Sequence, residues 1–474
     1  MSVRKLKPTK IKNYTINRND ELATYSIPKL LFKLSVPAII AQLVNALYNI
    51  IDRIYIGNIP ELGRNLLTSV GLTFAVIMII SAFASLIGAG AAPLMSIKLG
   101  QNRKDEAANI LSESLSYLLI LSIILPPIIL IFQDSFLYIF GASTNTFQAA
   151  KNYLSIYAIG TPFVMISLGM NFFINAQGFT QLGMRSILIG AVSNIILDPI
   201  FIFILKMNER GAALASIISQ ALSAIYVIYL LSSGRLPLSI KWNVTFKPSF
   251  KLILPIVSLG LSPFIMQSTE GILQIVQNNT LQKYGGDMAV GAMVIIVSLT
   301  QLFFLPCVGL GSGSQAIISF NYGAKNYKRV IICAKLAAFV SWAWLFVAFV
   351  GFLLIPQFFT RLFTQDIALI NFTTQPLRIY MIGFFLLGLQ LSLQNSFVAL
   401  GQAKISICLA LLRKLILLIP LILILPQITS WSYRAVFIAE PISDLIASLC
   451  TTFVFIIYYN KKLKPKLELN DSKK

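Results

Sequence analysis

Histidine is absent from the 474 residues, and aspartate and glutamate together number only 17. Without imidazole, proton handling falls to carboxylates, tyrosine or water, and the commonest general base and metal ligand is excluded. Cysteine is scarce too. The four present, Cys307, Cys333, Cys408 and Cys450, lie inside apolar runs with no CxxC or metal spacing. They read as small core residues rather than disulfides or zinc ligands. Charged residues make up 12% of the chain, about half the share of a soluble protein. No Ser/His/Asp set, metal cluster or nucleotide fingerprint occurs, so no enzyme and no cofactor is expected. "GAGAAP" and "GLGSGS" resemble phosphate cradles, but no GK[ST] follows and no strand precedes; close helix approach or hinge bending accounts for them better.

What is present is apolar. Hydrophobic residues reach 57%, with a mean hydropathy of +0.79. Apolar runs long enough to cross a hydrocarbon core about 30 Å thick recur from Leu30 to Tyr459. They predict an all-α polytopic membrane protein of twelve spans, near 30–57, 67–97, 108–132, 149–175, 183–205, 209–232, 251–281, 288–320, 328–355, 372–401, 403–425 and 432–459. The first run is long enough to span rather than be cleaved as a signal peptide. The net charge of +21 is not spread evenly. Basic residues gather in the first tail, in "KLGQNRKDE", "GRLPLSIKWNVTFKPSFK" and "GAKNYKR", and in "NKKLKPKLELNDSKK". Alternate connections such as "FQDSFLYIFGASTNTFQ" carry few. This is the positive-inside pattern, which puts both termini in the cytoplasm of a cell (inner) membrane. The charge therefore sets topology and meets anionic lipid; nucleic acid is not a partner.

The longest connection separates six helices from six. The expected units are a cytoplasmic tail over 1–29, an N-lobe over 30–232, a basic cytoplasmic linker over 233–250, a C-lobe over 251–459 and a tail over 460–474. The halves look like copies. Pro37 in "SVPAIIAQ" and Pro255 in "ILPIVSLG" each precede an acid, Asp52 or Glu270, by 15 residues. "GAGAAPLMSIKLG" and "GSGSQAIISFNYG" share their glycine frame at an offset of 223, and Gly178 and Gly401 repeat that offset. Six helices per half make the repeats parallel about an axis along the membrane normal, with a site expected where they meet.

Several helices spend one stripe on polar groups. Asn45, Tyr48, Asn49 and Asp52 share a face of the first. On the fifth, Asn194 precedes Asp198 by one turn and Pro199 interrupts the backbone ladder, as a hinge would. Ser216 opens the sixth. A lone intramembrane aspartate is also explained as a packing pin hydrogen-bonded to a neighbouring helix. Two on polar stripes in one half favour an ion or proton path. In the second half Gln267, Glu270, Gln274 and Gln277 form a stripe, and Gln390 and Gln394 lie one turn apart. With Asn45 and Asn171, these glutamines and Glu270 are the candidate cleft lining. Glu270 is either an anionic grip for a lipophilic cation or a packing residue. Arg413 and Lys414 with Glu440 and Asp444 are expected to form an interhelical ion-pair network near a membrane interface.

"IIDRIYIG", "GAGAAPLMSIKLGQ", "NAQGFTQLGMRSILIGAVSNIILDPIFIF" and "RGAALAS" together resemble the multidrug and toxic compound extrusion (MATE) family, in its bacterial DinF-like and MepA-like branch. The resemblance covers Leu30 to Tyr459. It implies two six-helix bundles forming a V-shaped central cleft and an antiporter exporting organic cations, acting as a monomer, in exchange for H⁺ or Na⁺. It implies ion coupling at Asp52 and Asp198, with Tyr48, Asn194 and Ser216 as polar neighbours and Na⁺ placed among Asp52, Asp198 and Asn194. Glu270 matches a seventh-helix acid used for cation coupling in the NorM-like branch. The tenth-helix aspartate of that branch is missing here from "LLGLQLSLQNS", which favours N-lobe coupling. The competing expectation is a flippase of the same superfamily for a lipid-linked oligosaccharide or cell-wall precursor.

Overall fold

The computed structural model describes residues 18–59 and 62–472. The expected basic tail lies outside the described residues as far as residue 17, as do the last two residues of the C-terminal one. Among the described residues all regular structure is helical, joined by turns and one longer irregular linker, and the chain builds twelve membrane-spanning helices. In the first half these are α1 (Ile27–Gly57), α2 (Gly63–Gly100), α3 (Lys104–Ile139), α4 (Thr144–Ile159 and Thr161–Ala176), α5 (Thr180–Ile204) and α6 (Asn208–Ser232). The second half comprises α7 (253–285), α8 (287–323), α9 (Tyr327–Leu354), α10 (Ile367–Ala399), α11 (Ala403–Ile428) and α12 (Tyr433–Tyr458).

Three breaks in these helices follow from the sequence. The arms of α4 meet at 58°, where Gly160 is followed by Pro162, whose ring removes a donor and starts a new helix. Between α7 and α8, Gly286 adopts φ 64°, ψ −164°, a region essentially closed to residues with a Cβ. In α5, Pro199 opens the ladder, so Ile200–Ile204 widens into a π-turn and the Leu205 amide bonds back to the Ile200 carbonyl at 2.9 Å.

Two six-helix bundles result, with a V-shaped cleft between them. Their apolar residues are distributed as hydrocarbon requires. Ile123 and Ile131 on α3 and Val347 on α9 are 72%, 73% and 67% exposed, which water would not tolerate in such numbers but lipid does. The bundles touch where α1 and α7 begin and α2 and α8 end, the end that also carries the linker and the last residues of α12. Contact there is backbone to backbone. A Cβ on Gly100 would strike the Phe320 carbonyl, and one on Gly323, 223 positions on, would strike the Ile97 carbonyl. The halves therefore cross about a local two-fold axis. Gly260 of α7 lies likewise against Leu86 of α2, and Gly309 of α8 against the Ile39 backbone of α1. The glycine-rich segments thus serve close helix approach, one of the two roles their sequence allows.

Beyond that crossing the helices part. Ile50 and Leu302 share helical faces with Ile39 and Gly309 respectively, yet are 53% and 46% exposed. A short helical turn over 18–24 clasps the closed end. Arg18 Nε donates to the Gly178 carbonyl at 2.7 Å in the first bundle. The Leu22 carbonyl accepts from Asn321 and Arg329 of the second, each at 3.0 Å. Burial alone would raise the Glu21 carboxyl, but Lys33 and Arg18 beside it hold it below the usual carboxylate value.

Filling the crossing should separate the bundles. Gly260→Val is expected to lower stability by about 1–3 kcal/mol through overpacking. Gly71→Ala, where an added Cβ meets nothing within 4 Å, should be neutral or stabilising. Thermal unfolding in detergent compares the two, and equal midpoints would contradict the assigned contact.

Candidate functional site

Inside the first bundle, four helices turn polar groups toward one another. Asp52 of α1 adjoins Asp198 of α5, and they are 9% and 0% exposed. Asn194, one turn before Asp198, donates Nδ2 to Asp198 Oδ1 at 3.2 Å and to Ser216 Oγ of α6 at 3.5 Å. Tyr48, one turn before Asp52, lies beside both aspartates and near Gln220. The expected cluster of Asp52, Asp198, Asn194, Tyr48 and Ser216 is therefore contiguous in space, with Pro199 and its π-turn directly after it.

Three further residues complete the enclosure. Tyr153 and Tyr157, one turn apart on the first arm of α4, close over Asp52, with Tyr153 near Ser216 and Tyr157 near Tyr48. Gln220, one turn after Ser216, accepts from Ser167 Oγ at 2.5 Å. The sequence held a signal for each. Two tyrosines at i, i+4 and a glutamine four positions after a polar serine continue stripes that face inward.

The cage has more acceptors than donors. Asp52 Oδ1, Asp198 Oδ2 and Asn194 Oδ1 are buried with no hydrogen-bond partner among the described residues. Among the described residues no ion pair reaches either aspartate. The adjacent Arg53 acts on Asp52 through space but forms no ion pair with it, its guanidinium lying over the Phe74 ring at 5.3 Å. Two adjacent carboxylates in a low-dielectric interior repel strongly unless something positive lies between them. Carboxylate, amide and hydroxyl oxygens suit either a proton or a hard cation such as Na⁺.

The second bundle answers differently. Glu270, for which an anionic grip and a packing role both stood open, is ion-paired with Lys414 of α11. The expected network around Arg413 forms only in part. Arg413 donates Nε to Asp444 at 2.7 Å and Nη2 to Glu440 at 3.0 Å. Lys414 does not join it, and both basic residues are buried in the bundle, at 8% and 5% exposure, rather than placed at a membrane interface. The reason is angular: neighbours on a helix diverge by about 100°, so Arg413 faces α12 while Lys414 faces α7.

The remaining candidates do not converge on one site. Asn171 is a packing residue, a correction to its place in the cleft. Its Nδ2 donates to the Gly183 carbonyl at 3.0 Å and to Ser186 Oγ at 2.5 Å, and its Oδ1 accepts from Asn175. Gln267 ties the bundles together by donating to Ser85 Oγ at 2.9 Å. Gln394 is turned into its own bundle, toward Ser262 Oγ at 3.1 Å, and Gln390 is buried beside it. Gln274 is exposed, and Asn45 is half-buried with its carbonyl taken by Asn49.

Two parallel six-helix bundles, a cleft and buried acids define a multi-pass membrane transporter, not an enzyme. The MatE family profile matches residues 37–200 and 264–424, and the chain belongs to that family. It is 27% identical over 431 residues to the multidrug export protein MepA of Staphylococcus aureus strain N315, covering 89% of this chain and 92% of that one. The MepA of Staphylococcus haemolyticus strain JCSC1435 is 28% identical over 440 residues, 91% of this chain and 94% of its own. Among solved structures, a MATE protein in the bent conformation superimposes with a TM-score of 0.88 at 24% identity, over 96% of this chain and all of that one. An outward-facing multidrug resistance MATE transporter of the MOP superfamily gives 0.86 at 23%, over 94% of this chain and 98% of that one.

Removing Arg413 tests the second bundle's ion pairs. Arg413→Met strands Glu440 and Asp444 and should cost about 3–5 kcal/mol. Adding Glu440→Gln and Asp444→Asn should recover most of it, read as thermal unfolding midpoints.

Proposed function

We propose that this protein is a multidrug efflux antiporter that exports organic, mainly cationic amphipathic compounds in exchange for H⁺ or Na⁺. The observation that carries the reading is the surplus of acceptor oxygens at Asp52, Asp198 and Asn194. A pair of buried carboxylates with no ion-pair partner among the described residues is suited to a mobile cation, and a mobile cation is what an antiporter exchanges. The multidrug export proteins to which the chain is similar support the same reading.

In this reading Asp52 and Asp198 hold the coupling ion, Asn194, Tyr48 and Ser216 orient them, and Glu270 lies in the substrate cleft with Gln274 and Asn45. With the ion absent, the cleft holds the organic cation. When the ion arrives, repulsion between the carboxylates is relieved and the helices around Pro199 repack. That change releases the cation. Ion and substrate need only prefer different states, and about 5.5 kcal/mol of differential binding moves such an equilibrium from 1:99 to 99:1.

The protein acts as a monomer in a cell (inner) membrane, with working units at 30–232 and 251–459 joined by 233–250, and tails over 1–29 and 460–474. The basic connections place both termini in the cytoplasm, so the closed end is cytoplasmic and the cleft opens outward. The lipid-linked flippase reading is the less favoured one, with Arg53 of α1 the main exception among mainly acidic intramembrane charges. A pyrophosphate grip needs free cations, whereas Arg413 and Lys414 are each held by carboxylates.

Efflux of a fluorescent lipophilic cation from proteoliposomes, under a pH gradient and separately a sodium gradient, tests the reading. The wild type should respond to one gradient, while Asp198→Asn and Asp52→Asn should fall to the level of empty liposomes although folded. Normal export by either variant would sink N-lobe coupling. Pro199→Ala closes the helical ladder, so it should slow turnover while leaving substrate binding at its wild-type strength.

A further inference from the structure

The two adjacent basic residues of α11 serve partners of different accessibility. Arg413 sits between Glu440 and Asp444, and all three are buried. Lys414 pairs with Glu270, and there the two sides differ: the lysine side chain is 7% exposed and the glutamate 51%. Protein surrounds Glu270 closely while half of its side chain stays reachable, as expected of a residue that lines a cleft rather than the lipid face. A solute cation in the cleft therefore meets a carboxylate that already has a partner behind it.

That partner also has somewhere else to go. Lys414 Nζ donates to the Met266 carbonyl at 3.2 Å, one helical turn before Glu270. Beyond it, Glu440 and Asp444 share the single Arg413 and interact with Lys414 through space without pairing to it, and among the described residues Glu440 Oε2 has no hydrogen-bond partner. The ammonium is thus accommodated whether or not it holds Glu270.

We propose that Lys414 is a positioning residue for substrate release, a tethered cation that competes with the bound organic cation for Glu270. This inference rests on the reading that the cleft carries such cations. A lone carboxylate in a confined, poorly solvated cleft attracts any cation strongly, and a carrier that holds its cargo too tightly turns over slowly. An ammonium on a flexible four-carbon stem is present at high effective concentration, so it takes Glu270 back as the cargo leaves. The carboxylate is then neutralised without cargo during the return of the ion-loaded carrier.

The test is equilibrium binding and ion-driven flux of tetraphenylphosphonium by the full-length protein in proteoliposomes. Lys414→Gln should tighten binding and lower KM by about threefold or more, the low end for coupled groups in contact, while kcat falls. Lys414→Arg keeps the competing charge and should bind at or weaker than wild type. In a Glu270→Gln background, adding Lys414→Gln should change KM no further. Unchanged or weakened binding in Lys414→Gln, or the same tightening without Glu270, overturns the proposal. Should Lys414→Gln not fold, the arginine variant decides alone, and binding tighter than wild type overturns it. A wild type that neither binds nor transports the cation would instead overturn the functional reading itself.

Discussion

Two carboxylates face each other inside an apolar bundle with no ion-pair partner among the described residues, and much of the first half is arranged around that fact. Helix α1 brings Asp52 on a polar stripe, α5 brings Asp198 with Asn194 to orient it, and α4 and α6 close the enclosure with tyrosines, a serine and a glutamine. In the proposed function a visiting cation relieves the repulsion within that pair. The chain's lack of histidine sharpens the point, because no neutral base can stand in for the carboxylates. The proline after Asp198 lies directly beside the carboxylate pair, where a π-turn already loosens the helix.

The second half repeats the scaffold without repeating the electrostatics. Helices α7 and α11 stand where α1 and α5 stand, and again an acid on the first meets a residue on the second. There the second residue is Lys414, so the acid is neutralised from within. One bundle therefore leaves its acids without an ion-pair partner among the described residues, and the other pairs its acid from within. Duplication of the helices supplied two equivalent frames, and the difference between them resides in a few side chains. The basic pair does not lend the second bundle a net positive interior either, because three carboxylates surround it.

Much of this was legible in the sequence, for physical reasons. Lipid demands long apolar helices, so the spans declare themselves, and the shared glycine frame exposes the duplication because close backbone approach leaves little freedom at those positions. Asp52, Asp198, Asn194, Tyr48 and Ser216 stood out because a polar residue in hydrocarbon needs a reason. Pairings across helices were harder to read. Whether Glu270 is free or paired depends on which way α11 is rotated, and Asn171 looks like any intramembrane amide until the Gly183 carbonyl is placed against it. Tyr153, Tyr157 and Gln220 do not stand out in the sequence, because aromatic and amide residues on amphipathic arms have ordinary packing uses. The separation of Arg413 from Lys414 was written in their adjacency, since consecutive helical residues point in different directions.

The glycine crossing at the closed end has a mechanical side. Because backbones touch there with no side chains between them, the contact behaves as a hard fulcrum rather than a soft cushion. Helix α2 is 38 residues long, which at 1.5 Å per residue gives an arm of about 57 Å. A tilt of ~10° about its glycine end would sweep the far end through ~10 Å, by that same rise per residue. Motions of sub-ångström scale at the fulcrum are thus geared up to molecular dimensions at the rim, and the stiffness of a few glycine contacts sets the gearing for the whole machine.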